Sequence, residues 1–301
     1  MEMHQLRYVV AVARMGNFSR AAEQCRVAQP SLSQQIQKLE DELGERLFDR
    51  MRRGTKLTPH GEAFLRRAVR ILEEADAAKQ EARETNALLR GTLTIGVLPT
   101  IAPYLLGDVL AAFLEKFSGV QTVVQEDTTA ELLKQLLSCE LDLALASGPI
   151  EGERFEVRDL FLEELKLALP LGHRLARKRA VHVADLRHEQ LIVMKPGHCL
   201  GDQVLGFCNR NDIHPGISFR GAQLETVQAL VRAGAGISLI PAMAARDNRS
   251  DALAYRSLSA PKPMRSVVAV WSKQRPPGRA ANEFLKIIRA HCGKKFQTPA
   301  K

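Results

Sequence analysis

The sequence predicts an α/β protein of more than one compact unit, and three observations carry that prediction. The chain has 301 residues, more than an average single domain. Up to about Arg90 its apolar residues recur at helical spacing with few β-branched runs. Beyond that point short strand-like runs alternate with amphipathic helical stretches, the pattern of βαβ units and a mainly parallel sheet. A hydrophobic share of 45% and a charged share of 26% are ordinary globular values, which excludes a wholly disordered chain, a collagen and a Cys-dense disulfide scaffold.

Taken in order, Met1–Tyr8 carries Glu2 and lacks a basic head before an apolar core, so no secretory signal is expected. The most apolar stretch, Leu93–Leu106, is broken by Pro99 and Pro103 and is shorter than the roughly 20 residues that span a bilayer. A cytoplasmic location with no membrane partner follows as the expectation. There the five cysteines, at 25, 139, 199, 208 and 292, are expected mostly as thiols.

Phe18–Cys25, Arg26–Ala28 and Gln29–Glu40 read as helix, short turn, helix. Ser19 can cap the first helix, and Ala21 and Ala22 are small enough for a close crossing. Pro30 is tolerated early in the second helix, where a missing N–H matters little. Leu32, Ile36, Leu39 and Leu43 then point inward. Ser31, Ser33, Gln34, Gln37 and Lys38 face out and, with Gln29 and Pro30, form the candidate DNA-contacting set, because glutamine pairs with adenine edges and lysine with guanine or phosphate. Glu40, Asp41 and Glu42 close that face. Arg50, Arg52, Arg53 and Lys56 around Gly54 suit a hairpin wing whose cations reach phosphates. The net charge of +9 is uneven: residues 1–70 carry +5, residues 71–258 carry −5 and residues 259–301 carry +9. A generic two-helix hairpin with a solvated basic tail is the plain alternative.

Thr58–Leu89 reads as one long helix, capped by Thr58 with Pro59 in its first turn. Phe64, Ala68, Ile71, Ala75, Ala78 and Ala82 recur near the 3.5-residue period that pairs helices, which favours dimerisation over packing on the chain's own domain. Strands are expected at Thr92–Val97, Val120–Gln125, Leu141–Ala146, Leu165–Leu169, Leu191–Met194, Ile237–Ile240 and Val267–Trp271, with helices at Ala130–Leu137 and Leu224–Arg232.

Met3–Thr58 resembles the winged helix-turn-helix of LysR-type transcriptional regulators, notably in Phe18-Ser19-Arg20-Ala21-Ala22, Gln29-Pro30-Ser31-Leu32-Ser33, Leu43-Gly44, Leu47-Phe48 and Leu57-Thr58-Pro59-His60-Gly61. The resemblance implies a double-stranded DNA-binding, self-associating regulator, a dimer or tetramer, with RNA polymerase as a further partner. It also implies the full fold: residues 1–58 a winged helix-turn-helix, 59–90 a linker and dimerisation helix, and 91–301 an α/β effector domain. That domain would consist of two subdomains like those of periplasmic binding proteins, about 91–162 with 268–301, and 163–267.

Gly197–Cys208 carries two cysteines nine positions apart, by default two unconnected buried thiols. Cys199, however, follows an expected strand and precedes an expected helix. A helix start favours thiolate, as would a protonated His198 or an inward-turned Lys195. Peroxide oxidises thiolate to sulfenic acid, which a second thiol condenses with, and Cys208 is the nearest in sequence. Were residues 200–208 helical, the two Cα atoms would lie roughly 13 Å apart, whereas a disulfide needs them within about 7 Å, so the helix would have to unwind.

This stretch, with Leu224-Glu225-Thr226 and Val231–Ile237, resembles the OxyR-type peroxide sensors within the LysR family. By that resemblance hydrogen peroxide is the signal, Cys199 the peroxidatic residue and Cys208 the resolving one. Thr100 would hydrogen-bond peroxide, Thr129 would line the pocket, Asp202 would transfer protons and Arg265 would stabilise the thiolate. From the residues alone, Thr100 reads more readily as a helix cap, and Arg265 could be a surface cation. The alternatives are a LysR-type regulator that binds a small organic effector between its subdomains, and a thiol peroxidase, which the lack of a Cys-X-X-Cys motif disfavours. No metal or cofactor is expected: His291-Cys292 and Cys139 have no partner at metal-ligand spacing, and Gly234-Ala235-Gly236 lacks the spacing of a dinucleotide site.

Overall fold

The computed structural model describes residues 1–50, 55–83, 89–245 and 253–295. The chain forms two compact units, Met1–Gly91 and Thr92–Lys301.

The first unit begins with three helices, α1 (Met3–Met15), α2 (Phe18–Cys25) and α3 (Gln29–Leu43). A two-stranded antiparallel hairpin follows, β1 (Phe48–Arg50) and β2 (Thr55–Leu57), then α4, described over Pro59–Arg83. Asn17, not Ser19, caps α2: its extended backbone precedes the first helical turn and its side chain accepts from the Ser19 and Arg20 amides. Leu32, Ile36 and Leu39 of α3 are buried against Val9, Val12, Ala21 and Ala22, and Cys25 packs on the edge of this cluster. Leu43 is exposed, since the helix ends at Gly44 before its last turn reaches the core.

Thr58 caps α4 as expected, its hydroxyl accepting from the Gly61 amide at 2.9 Å and donating to the Arg46 carbonyl at 2.6 Å. Gly61 is obligatory there, because a Cβ would sit 2.0 Å from the Leu47 carbonyl oxygen. The apolar seam expected along α4 is not a single free face. Phe64 and Ala68 pack with Leu6 and Val10 of α1, whereas Ile71 is exposed. The side chains of Ala78 and Ala82 lie outside the described residues, as do Arg52 and Arg53.

The second unit carries a seven-stranded sheet of order β10-β6-β11-β5-β3-β4, with β9 also on β6. Its strands are β3 (Gly91–Val97), β4 (Val120–Glu126), β5 (Leu143–Ser147), β6 (Phe155–Pro170), β9 (Ser238–Pro241), β10 (Leu253–Arg256) and β11 (Met264–Ser272). A separate parallel pair is formed by β7 (Gln190–Met194) and β8 (Gly216–Gly221). The helices are α5 (Gly107–Lys116), α6 (Thr129–Ser138), α7 (Cys199–Arg210), α8 (Leu224–Arg232) and α9 (Arg279–Lys295).

The sheet is mixed rather than mainly parallel. Parallel pairing joins β3 to β5 and β7 to β8, where helices intervene and allow a crossover. β11, in contrast, runs antiparallel to both β5 and β6, and β6 runs antiparallel to β9 and β10. The expected strand Leu165–Leu169 is the end of the 16-residue β6. Its earlier part pairs with β11 although Glu156, Arg158, Asp159 and Glu163 interrupt the apolar pattern. Around Leu167, Leu169, Leu191, Val193, Val204, Phe207, Val231 and Leu239 a hydrophobic core forms into which Cys208 is also packed. Among the described residues no helix is long and apolar enough to cross a membrane.

Candidate functional site: a helix-borne thiol and an exposed polar helix face

On the first unit, Gln29, Pro30, Ser31, Gln34, Gln37 and Lys38 are exposed on α3, and Ser33 is half-buried. Gln37 donates to Asp41 at 3.0 Å, which holds its amide along the helix face. Lys56 is exposed on β2, opposite Asp49 of β1. Arg50 closes β1 opposite Thr55. Glu40 is not part of the outward face: it is buried, and its Oε1 accepts from the Leu47 and Phe48 amides at 2.7 and 3.1 Å. That carboxylate anchors the entry to the hairpin. Sequence reasoning missed it, because the contiguous acids Glu40, Asp41 and Glu42 look alike until helical phase assigns Glu40 to the side of Leu39 and Ile36.

On the second unit, Cys199 occupies the first position of α7, directly after His198, whose backbone is extended. Gly201 lets this turn sit against the end of β7, since a Cβ there would lie 2.5 Å from the Met194 carbonyl oxygen. Thr129, at the start of α6, brings its hydroxyl to the Cys199 sulfur, and the Leu200 amide also favours the thiolate. Apart from that approach, the buried Thr129 Oγ1 has no hydrogen-bond partner among the described residues.

Arg265 is not a surface cation but is 1% exposed on β11. Its Nε donates to Glu163 Oε1 at 2.5 Å, its Nη1 to Thr100 Oγ1 at 3.0 Å and its Nη2 to the Thr100 carbonyl at 3.1 Å. Thr100 is buried and does not cap the following turn, whose N-cap is Ile101. Its hydroxyl has taken a hydrogen bond from Arg265 and retains its own hydrogen to donate.

Burial pushes the Cys199 thiol above its ordinary value near 9.0, and the Asp202 charge acts in the same direction. The Arg265 charge, the Thr129 hydroxyl and the Leu200 amide oppose that effect without overcoming it. The resting sulfur is therefore a thiol, contrary to the thiolate expected from a helix start. His198 does not supply the missing cation: burial and the neighbouring Lys195 push its own value down, so it is neutral near pH 7. Lys195 and Asp202 are exposed. Cys208 is 1% exposed, and burial raises its thiol too. The two sulfurs are carried on one unbroken helix, nine residues or roughly 13 Å of rise apart, and both are free. His198, Cys199 and Asp202 thus lie at the start of α7 with Thr129 against the sulfur, Thr100 is bound to the Arg265 whose charge acts on that sulfur, and Cys208 lies in the last turn of the helix.

Two further features were not assigned from the sequence. Gln203, one turn into α7, donates to Ser147 Oγ at 2.8 Å and to the Gly148 carbonyl at 3.1 Å, tying the helix to the end of β5. Beside it lies a cleft of about 580 Å³ lined by Gln203, Phe207 and Arg210 of α7 together with Asp159, Leu165 and Arg265. Among the described residues no group of three His, Cys, Asp or Glu side chains is placed to hold a metal ion.

Two family models match the chain: the bacterial regulatory helix-turn-helix of the lysR family over residues 3–62, and the LysR substrate binding domain over residues 86–293. A hydrogen peroxide-inducible genes activator of Pectobacterium carotovorum is 35% identical over 302 residues, covering 100% of both chains. The DNA-binding transcriptional dual regulator OxyR of Escherichia coli K12 is 36% identical, covering 98% of this chain and 97% of its own. Among solved structures, full-length OxyR C199D from Pseudomonas aeruginosa superposes with a TM-score of 0.74 at 30% identity, covering 96% of this chain and 98% of that one. Full-length CbnR complexed with its target DNA gives 0.59 at 29% identity, covering 97% and 100%.

Proposed function

Starting from the fact that the chain belongs to the LysR family of bacterial helix-turn-helix regulators, we propose that it senses hydrogen peroxide through Cys199 and Cys208 and changes its grip on DNA accordingly. The observation that carries this reading is the placement of Cys199. It sits at a helix start beside the buried Thr129 hydroxyl, within the field of the buried Arg265, with a second thiol on the same helix out of bonding range.

Cys199 is a resting thiol, so its proton must leave as peroxide enters, with the Arg265 charge stabilising the thiolate that forms. Thr100 and Thr129 hold the two peroxide oxygens, and Asp202, which is exposed, passes the proton to water. The sulfur attacks one oxygen and the O–O bond breaks. The departing hydroxide takes a proton to become water, and the sulfur is left as sulfenic acid. Cys208, as thiolate, then attacks that sulfur; a second hydroxide leaves as water and a disulfide forms. The bond requires Cα atoms within about 7 Å, so α7 has to unwind between the two residues. Unwinding pulls Phe207 and Cys208 out of the core and breaks the Gln203 tie, converting a chemical change into a rearrangement.

The DNA-reading face is the exposed set on α3 from Gln29 to Lys38, with Lys56 and Arg50 of the hairpin, and with Arg52 and Arg53, on phosphates. The chain works as a dimer or tetramer in the cytoplasm, paired through residues 59–90, and its output passes to RNA polymerase. Its effector region comprises two subdomains, about 91–162 with 268–301, and 163–267. The chemistry is one turnover per signal, reset by a dithiol reductant, rather than a metabolic cycle.

The test is stoichiometric peroxide followed by disulfide mapping and DNA footprinting of wild type and Cys199→Ser. A Cys199–Cys208 bond with a changed footprint in wild type alone is the expected result; an unchanged footprint despite full sulfur oxidation overturns the proposal. A second reading is favoured by the cleft beside α7, whose roughly 580 Å³ suits a small organic effector. It requires a footprint that changes with ligand and not with peroxide.

A further inference from the structure

The buried ion pair behind the thiol pocket has a member that the peroxide chemistry above leaves without a task. Glu163 lies in the middle of β6 and is 3% exposed, and its partner Arg265 is 1% exposed. One carboxylate oxygen accepts from Arg265 Nε at 2.5 Å and lies 2.5 Å from Nη2. The other accepts from the Met243 amide at 3.1 Å, just beyond the end of β9. The carboxylate is thus clamped from both sides and cannot turn. Arg265 is fixed in turn by Thr100, through Nη1 to the hydroxyl and Nη2 to the carbonyl.

A guanidinium has five N–H hydrogens. Glu163 and Thr100 engage Nε, Nη2 and one hydrogen of Nη1. The Arg265 charge acts on the Cys199 sulfur. A lone buried cation at that place would draw the thiol strongly toward thiolate, leaving it open to every electrophile. A carboxylate in direct contact weakens that field while holding the guanidinium in place.

We propose that Glu163 is a positioning residue for the Cys199 chemistry: its carboxylate, in contact with the Arg265 guanidinium and held from the other side by the Met243 amide, fixes where that cation sits and partly offsets its charge. This rests on the peroxide reading of Cys199 given above. Glu163 therefore works in two ways, through geometry and through charge, and two substitutions separate them. Glu163→Gln keeps the length and removes the charge. Glu163→Asp keeps the charge and draws the guanidinium back by one methylene.

The experiment uses the reduced full-length protein. It follows alkylation of Cys199 by iodoacetamide against pH, with Cys208 quantified separately by mass spectrometry, and then the rate of Cys199 oxidation by hydrogen peroxide at pH 7. In Glu163→Gln the alkylation midpoint falls by roughly one pH unit, about tenfold more thiolate at neutral pH, as expected for removing one charge near a half-buried thiol. In Glu163→Asp the midpoint does not fall, and peroxide oxidation slows at least threefold. A purely structural role would lower the melting temperature of both variants and leave the midpoint of the folded fraction in place. A folded Glu163→Gln protein with the wild-type midpoint overturns the proposal. Should that variant not fold, Glu163→Asp with wild-type oxidation rate overturns it equally. Failure of wild-type Cys199 to react with peroxide at all would instead refute the sensor reading on which the proposal stands.

Discussion

Unwinding of α7 is the step most open to quantitative attack, and Gln203→Ala is the perturbation that isolates it. Gln203 makes two hydrogen bonds from α7 to the end of β5, at 2.8 Å to Ser147 Oγ and 3.1 Å to the Gly148 carbonyl. Each contributes about 0.5–1.5 kcal/mol to the intact helix, so the pair amounts to roughly 1–3 kcal/mol. Against this, Gln203 Oε1 is buried without a partner, and deleting it recovers about 1 kcal/mol. The net destabilisation of the helical state is therefore about 1 kcal/mol, within a range of roughly 0–2 kcal/mol. At about 1.4 kcal/mol per tenfold, the central value makes the opened state about fivefold more populated and the upper end about thirtyfold. Formation of sulfenic acid on Cys199 depends on the Arg265, Thr129 and Thr100 environment and should not change. The assay is a saturating peroxide pulse quenched by alkylation at intervals, with thiol, sulfenic acid and disulfide separated by mass spectrometry. Disulfide formation should accelerate by the stated factor while loss of free thiol keeps its wild-type rate. If both steps run within twofold of wild type, α7 does not open through this tie and the unwinding argument fails.

Three other outcomes follow from the same geometry. Cys25, Cys199 and Cys208 all have thiols raised by burial, so their contribution to stability is intact below the ordinary thiol value near 9.0 and is lost as pH rises through the raised values. Thermal melts between pH 8 and 11 should therefore fall more steeply for wild type than for a Cys199→Ser/Cys208→Ser variant, and equal slopes would contradict this. Glu40→Ala leaves the Leu47 and Phe48 amides without their acceptor and should destabilise the first unit by about 2–4 kcal/mol, read in urea melts. The neighbouring exposed Asp41→Ala should stay within about 0.5 kcal/mol. Lys56→Ala should weaken operator and random DNA alike and flatten the log–log salt dependence by about 0.9, whereas Gln34→Ala should cost about 1–3 kcal/mol at one base position only. A Lys56 variant that loses sequence preference, with its salt slope unchanged, would show that this lysine reads bases.

The limits of sequence reasoning follow residue by residue from the range of the interactions involved. Helical period and Pro30 place α3 and its outward polar set, and Thr58 places the start of α4, because these features act within a turn or two of chain. The same locality allowed Ser19 to be mistaken for the cap that Asn17 provides, since both lie within one turn of the helix start. For the sheet, only strands joined through helices could be paired from the sequence. The long antiparallel run of β6 along β11 brings together residues about a hundred positions apart, across segments whose charged residues hide the apolar period.

The candidate site divides in the same way. The sequence alone determined that residue 199 lies at a strand-to-helix junction and that residue 208 lies nine places on, facts of order and spacing from which the need to unwind a helix follows. Tertiary structure decided whether the sulfur is charged. Burial raises the Cys199 thiol, with the Asp202 charge acting the same way, and the Arg265 charge, the Thr129 hydroxyl and the Leu200 amide only partly oppose it. Electrostatic energy depends on distances through space and on the exclusion of water, and neither quantity is written in the linear order of the residues.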